Sequence, residues 1–130
     1  MAVIDKEISD KFAIYNADCM EVLPTLPDES IDFTVYSPPF PQMFAYSNDP
    51  RDMSNCTTYE EGIEQYQFIV NEIYRLTKPG RLTAVHCMDL PKSKLTKHHF
   101  PGDIVKAHLK AGFHYDCMIT IWKDPWLIAR

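Results

Sequence analysis

Long apolar runs are missing from this chain. No stretch approaches the roughly 18 consecutive apolar residues that a membrane span requires, and the opening segment, Met1 to Asp10, is charged where a signal peptide would be apolar. A soluble, cytoplasmic chain with no membrane partner is therefore expected. Cysteine is sparse and scattered: Cys19, Cys56, Cys87 and Cys117 form no CxxC pair, and no HxxxH spacing accompanies them. Free thiols are expected. A zinc site drawn from Cys56, His86, Cys87, His98, His99 and Cys117 is disfavoured, because zinc ligands come in closely spaced pairs. A hydrolase pair of Cys87 with His86 fails for another reason, since neighbours on a strand point to opposite faces. Surplus positive charge is also lacking: 13 Lys and Arg stand against 18 Asp and Glu, a formal net charge of −5. Affinity for a polyanion comes largely from Lys and Arg, so any such surface must be local. The candidates are Arg51 and the cluster Lys92, Lys94 and Lys97 beside His98 and His99, whose alternative reading is a solvated loop.

What is present suffices for one core: 45% of the 130 residues are hydrophobic and 12% aromatic, in a chain of single-domain length. Phe12 to Asn16 predicts a short strand, and Ala17 to Leu23 a brief helix stopped by Pro24. After the turn residues Pro27 to Ser30, Ile31 to Tyr36 reads as a buried strand. It must end at Pro38-Pro39, because neither proline can donate to a ladder. Pro41 to Thr57 is polar and aperiodic, a long loop whose apolar anchors are Met43, Phe44 and Tyr46, and it is expected to be mobile. Thr58 with Glu61 three residues on is a capping box. Ile63, Tyr66, Ile69, Val70, Ile73 and Tyr74 then recur at helical spacing up to a stop at Lys78-Pro79-Gly80. Tyr66, Phe68 and Tyr74 are expected in the core. Arg81 to Cys87 predicts a further buried strand, Phe100 to Ala111 a helix ended by Gly112, and Tyr115 to Trp122 a last strand, with Cys87 and Cys117 as small core residues.

Strands and helices alternating in this order predict an α/β layer with a mostly parallel sheet, each helix supplying a crossover. Ligands in such sheets bind at the carboxyl ends of strands. Three suggestive segments fall there: Asp18, Ser37 to Phe40, and His86 to Asp89. The first two are expected side by side at one sheet edge.

Ser37-Pro38-Pro39-Phe40 carries a specific chemistry. An exocyclic base amine is a poor nucleophile, because its lone pair is delocalised into the ring. Methylating it calls for acceptors on its N–H bonds and a flat surface for the base once it leaves the duplex. A turn of the form acceptor-Pro-Pro-aromatic supplies both: the Ser37 side chain and the Pro38 carbonyl accept, the prolines stiffen the turn, and the Phe40 ring stacks. By itself the tetrapeptide is weak evidence and reads more readily as a strand terminator.

Its surroundings add to it. The run IYNADCMEVLPTLPDESIDFTVYSPPF from Ile14, then NEIYRLTKPGRLTAVHC from Asn71 and AGFHYDCMITIWKDP from Ala111, resembles bacterial and phage DNA amino-methyltransferases of the N4-cytosine and N6-adenine family, in order and over nearly the whole chain. The resemblance implies a Rossmann-like fold, S-adenosylmethionine as donor and DNA as partner. It matches Ser37, Pro38, Pro39 and Phe40 to the catalytic loop and Asp18 to the acceptor for the cofactor's adenine amine; the other reading of Asp18 is a helix N-cap. Serine at the first motif position favours cytosine N4 over adenine N6.

One family element is absent. Gly62, Gly80, Gly102 and Gly112 stand alone, so the Gly-rich turn that lets the cofactor's methionine end approach the backbone is missing. In the permuted subgroup with the catalytic motif first, that turn comes late. The expectation is a truncated catalytic-motif half of a methyltransferase domain, without the recognition region and inactive alone. The alternative is a non-catalytic remnant serving as a dimerisation or nucleic-acid interaction module. Trp122 and Trp126 suggest a homodimer formed through the truncated sheet edge.

Overall fold

The computed structural model describes residues 4–124; Trp126 lies outside them. Two short strands open the chain, β1 (Asp5–Ile8) and β2 (Ala13–Asn16), paired antiparallel with Asp5 opposite Asn16. Next come α1 (Cys19–Val22), a single turn closed by a 3₁₀ segment containing Pro24, and β3 (Ile31–Tyr36). The main helix, α2 (Tyr59–Leu76), follows the long loop. It runs directly into β4 (Thr77–Val85), which pairs parallel with β3. A small antiparallel hairpin, β5 (Leu90–Pro91) and β6 (Lys97–His98), leads to α3 (Phe100–Ala111).

The helix signals work as their chemistry requires. The Glu61 amide donates to Thr58 Oγ1 at 3.2 Å, and Glu61 Oε2 accepts the Thr57 amide at 2.8 Å, so the capping box closes one residue early on its return side. Gly112 ends α3 with φ 117°, a left-handed conformation that only glycine adopts cheaply. Tyr66, Val70, Leu90, Phe100, Ile104 and Ala107 form the core between α2 and α3. Tyr66 is fully buried, whereas Phe68 and Tyr74 are exposed, contrary to expectation. Position 68 falls on the outer face of α2, and Tyr74 instead packs its ring edge on Phe113 at 5.0 Å.

The sheet departs from the expected one. Instead of one mostly parallel sheet, the described residues form three two-stranded sheets, of which β3–β4 alone is parallel. β2 finds a closer partner in β1, an antiparallel neighbour reached by a short turn. Asp18 and Ser37 therefore follow strands of different sheets. Lys78-Pro79-Gly80 does not stop the helix; α2 ends at Leu76, and these residues form an irregularity in β4 between the pairs Ile31↔Thr77 and Phe33↔Leu82. Gly80, at φ 74°, takes the bend. Tyr115 to Trp122 is not a strand, because no neighbour offers it a ladder, and Cys117 within it is exposed.

Nor is β3 buried on both sides. Tyr36 and Val85 pack on the helices, while Phe33, Val35 and Leu82 on the other face are 57%, 68% and 58% exposed. Thr83 shares the helix-facing side, and its hydroxyl is buried without a hydrogen-bond partner among the described residues. Such a group costs about 1–3 kcal/mol of desolvation. Thr83→Val keeps the shape and removes the hydroxyl, so urea unfolding should show the variant more stable by about 1 kcal/mol. An equal or lower midpoint would mean that the hydroxyl finds a partner in solution.

Candidate functional site

β3 brings Ser37 to the surface and cannot continue past it. Pro38 is buried and Pro39 half-buried, so the pair is wedged against the body. Phe40 to Met43 then turn sharply, the Met43 amide donating to the Phe40 carbonyl at 3.2 Å. Pro41 at the second position and Gln42 with φ 59° at the third make this a type II turn, where glycine is usual. Two bonds hold Gln42 there: its amide donates to the Ser54 carbonyl at 3.4 Å and its side chain to the Thr57 carbonyl at 2.6 Å. Pro41 sits against α2 at Gly62, where a Cβ would lie 2.8 Å from the proline ring. A glycine that reads as an ordinary helix-interior position is thus the seat of the turn.

Phe40 stands edge-on to the fully buried Phe100, with ring centroids 5.8 Å apart and planes at 89°. Ser37, Pro38, Pro39 and Phe40, together with Tyr46 from the long loop, line an open cleft of about 390 Å³. That loop is better anchored than its sequence suggests. Met53 and Ser54 are buried, Met53 in the core itself, and Asn55 Nδ2 donates to the Ser47 and Asp49 carbonyls at 2.8 and 3.1 Å. Met53 is the anchor that composition alone did not single out.

His86, which the sequence marks only as part of a suggestive segment at a strand end, is the neighbour of Ser37. Tyr36 pairs with Val85 across the parallel ladder, so the next residues, Ser37 and His86, emerge side by side. The His86 amide donates to the Tyr36 carbonyl at 2.9 Å, and Ser37 Oγ lies 2.8 Å from the His86 carbonyl oxygen and 3.1 Å from its Nδ1. The signal was available in principle, as the register of two adjacent parallel strands.

Beneath the cleft, Tyr36, Tyr66 and His108 form a polar chain inside the core. His108 Nδ1 lies 2.8 Å from the Ile104 carbonyl, which can only accept, so Nδ1 carries the proton. Nε2 then accepts from the Tyr36 hydroxyl at 3.3 Å, and Tyr36 accepts from Tyr66 at 2.5 Å. Burial keeps all three neutral: it pushes the Tyr36 phenol up to about 12, raises Tyr66 as well, and lowers His108. The chain braces the last residue of β3 immediately before Ser37.

Asp18 is the N-cap of α1, accepting the Met20 amide at 2.9 Å, and it is not among the residues that line the cleft. Its other oxygen lies 3.4 Å from Arg51. Arg51 also pairs with Glu21 at 3.2 Å and Asp49 at 2.9 Å, and its hydrogen bonds hold the Asp49 carboxyl down to about 2. Arg51 is therefore engaged with three carboxylates. Lys92, Lys94 and Lys97 are exposed on the β5–β6 hairpin and make no ion pair with another described residue. Among the described residues no group of three or more His, Cys, Asp or Glu converges as a metal site.

Over its full length (100%), the chain is 33% identical to the type II methyltransferase M.MjaVI of Methanocaldococcus jannaschii, in an alignment of 136 residues. The chain is thus similar in sequence to a protein named a type II methyltransferase. A second relative, M.BamHI of Bacillus amyloliquefaciens, is 31% identical over 72 residues, 55% of this chain. The chain spans 64% of M.MjaVI and 16% of M.BamHI. Its fold is similar to that of TTHA0409 from Thermus thermophilus, assigned as a DNA modification methylase, with a TM-score of 0.59 and 23% identity over 75% of this chain and 39% of the other. An α/β methyltransferase-like fold therefore stands, with a smaller parallel sheet than the sequence predicts. No family model matches the chain.

The residues present fit S-adenosylmethionine, the donor implied by the resemblance, only in part. Gly62, Gly102 and Gly112 are packed against Pro41, His99 and Tyr74, and Gly80 faces open space, so none forms a backbone cradle at the cleft. Asp18 could meet one end of S-adenosylmethionine while its carboxylate also serves α1 and Arg51. No helix among the described residues is long and apolar enough to cross a membrane.

Proposed function

We propose that this chain is the acceptor-base half of a DNA amino-methyltransferase of the permuted order, in which the cleft at Ser37 to Phe40 receives a flipped base. The observation that carries the reading is the cleft itself: a serine oxygen on a proline-stiffened turn beside an aromatic ring whose orientation is set from behind by Phe100. The Pro38 carbonyl, to which no backbone amide donates among the described residues, is the acceptor assigned to the second amine hydrogen. Cytosine N4 is the favoured target over adenine N6, S-adenosylmethionine the methyl donor with Asp18 as its contact, and DNA the partner, held by Lys92, Lys94 and Lys97. Arg51 serves phosphate only if it leaves its carboxylates.

Without a glycine cradle for the methionine end, the 130-residue chain alone is expected not to turn over, since transfer requires donor and amine held in line. The experiment is fluorescence anisotropy with duplex DNA carrying one unpaired cytosine, alongside a labelled-methyl transfer assay. Binding should weaken on the order of tenfold in Ser37→Ala and in Phe40→Ala, the loss of one hydrogen bond or one stacking contact, with no transfer by any form. Unchanged binding in both variants would remove the cleft from the reading. Robust transfer by the intact chain would show the donor site to be complete by other means.

A second reading, a non-catalytic dimerisation or nucleic-acid module, is favoured by the exposed apolar face of Phe33, Val35 and Leu82. A homodimer would cover it.

A further inference from the structure

The Ser37 hydroxyl is more constrained than a surface serine need be. It has one proton to give and two lone pairs with which to accept. At 2.8 Å its oxygen faces the His86 carbonyl, which has no proton, so the hydroxyl proton must lie on that line. Otherwise two oxygens would oppose their lone pairs at hydrogen-bond distance. His86 Nδ1 lies 3.1 Å from the same Oγ. With the hydroxyl proton already committed, that contact is favourable only if Nδ1 itself carries a hydrogen and donates it. One lone pair of Oγ then remains, on an exposed serine at the wall of the cleft.

From this we infer that His86 is a positioning residue that fixes Ser37 as a one-way acceptor, so that the cleft takes a base amine and rejects a base carbonyl in the same place. The inference rests on the base-binding reading of the cleft and deepens it. A base amine donates into the free lone pair. A carbonyl there meets another acceptor, and both are left unpaired when water is excluded, which costs more than the hydrogen bond gains. An ordinary serine could rotate its hydroxyl and donate to the carbonyl instead. Ser37 cannot do so without giving up its bond to the His86 carbonyl, and the hydrogen bond from Nδ1 holds Oγ at that carbonyl.

Two measurements on the 130-residue chain decide it. Nitrogen-15 NMR of the histidine rings reports which nitrogen is protonated. His86 is expected with its proton on Nδ1 at neutral pH, changing to the Nε2 form usual for free histidine in Ser37→Ala. A wild-type proton on Nε2 overturns the proposal. The second measurement compares binding of duplexes with an unpaired cytosine or an unpaired uracil, which carries a carbonyl in place of the amine. Wild type should prefer cytosine on the order of tenfold. That ratio should fall toward one in His86→Leu and return in His86→Asn, whose amide nitrogen can donate from a similar place. Binding without discrimination, or discrimination that survives His86→Leu, overturns the role of His86 alone. Failure to bind either duplex overturns it together with the base-binding reading.

Discussion

Phe100→Ala is expected to destabilise the chain by about 3–5 kcal/mol, the range for removing a fully buried aromatic ring. Phe100 has 0% exposure, begins α3, and meets the edges of both Phe40 at 5.8 Å and Tyr59 at 6.2 Å. It therefore joins the α2–α3 core to the back of the cleft. Domains of this size have about 5–15 kcal/mol in total, so one substitution removes at least about a fifth of it. Urea unfolding followed by circular dichroism measures the loss. Phe100→Leu, which refills most of the volume, should cost less than about 1.5 kcal/mol. In whatever fraction of Phe100→Ala stays folded, Phe40 loses the ring behind it and DNA binding should weaken as in Phe40→Ala. A midpoint close to wild type would show that Phe100 is not packed as described, and the aromatic wall of the cleft would lose its support.

Stability should also fall as the solution is acidified below about pH 6.5, because of His108. Desolvation lowers its pKa in the folded protein from the ordinary 6.5, and its ring nitrogens are occupied by the Ile104 carbonyl and the Tyr36 hydroxyl. Above pH 6.5 the ring is neutral in both states and the full stability is present. Between that value and the folded pKa the unfolded chain binds a proton that the folded chain does not, so stability rises with pH across the window and is lost as pH falls through it. The slope is at most about 1.4 kcal/mol per pH unit for one proton. Urea midpoints at a series of pH values from about 5 to 7.5 should show this slope in wild type and its loss in His108→Gln. The same slope in the variant would assign it to another group.

How much of this was legible in advance depends on the range of the interaction. The α2 N-terminus was readable at Thr58 and Glu61, and the α3 bounds at Phe100 and Gly112, because capping and glycine conformations act over three or four residues. The end of β3 at a double proline was readable for the same reason. The polar chain Tyr36–Tyr66–His108 was not, since its members lie 30 and 72 residues from Tyr36 along the chain and each reads alone as an ordinary amphipathic position. Arg51 likewise reads as a free cation, and only the folded loop shows it among Asp18, Glu21 and Asp49.

By itself the sequence determined the three helices and the strands β2, β3 and β4 in their order, the proline-stiffened turn with its serine and phenylalanine, and the resemblance to amino-methyltransferases, all properties of contiguous residues. The tertiary structure alone decided which strands pair, that β2 turns to β1 and that Tyr115 to Trp122 stays unpaired, because a ladder depends on which partner is present as well as on the strand's own pattern. It alone placed His86 against Ser37. The two are 49 residues apart in sequence and 2.8 Å apart at their closest oxygens, and only the parallel register of β3 with β4 makes them neighbours.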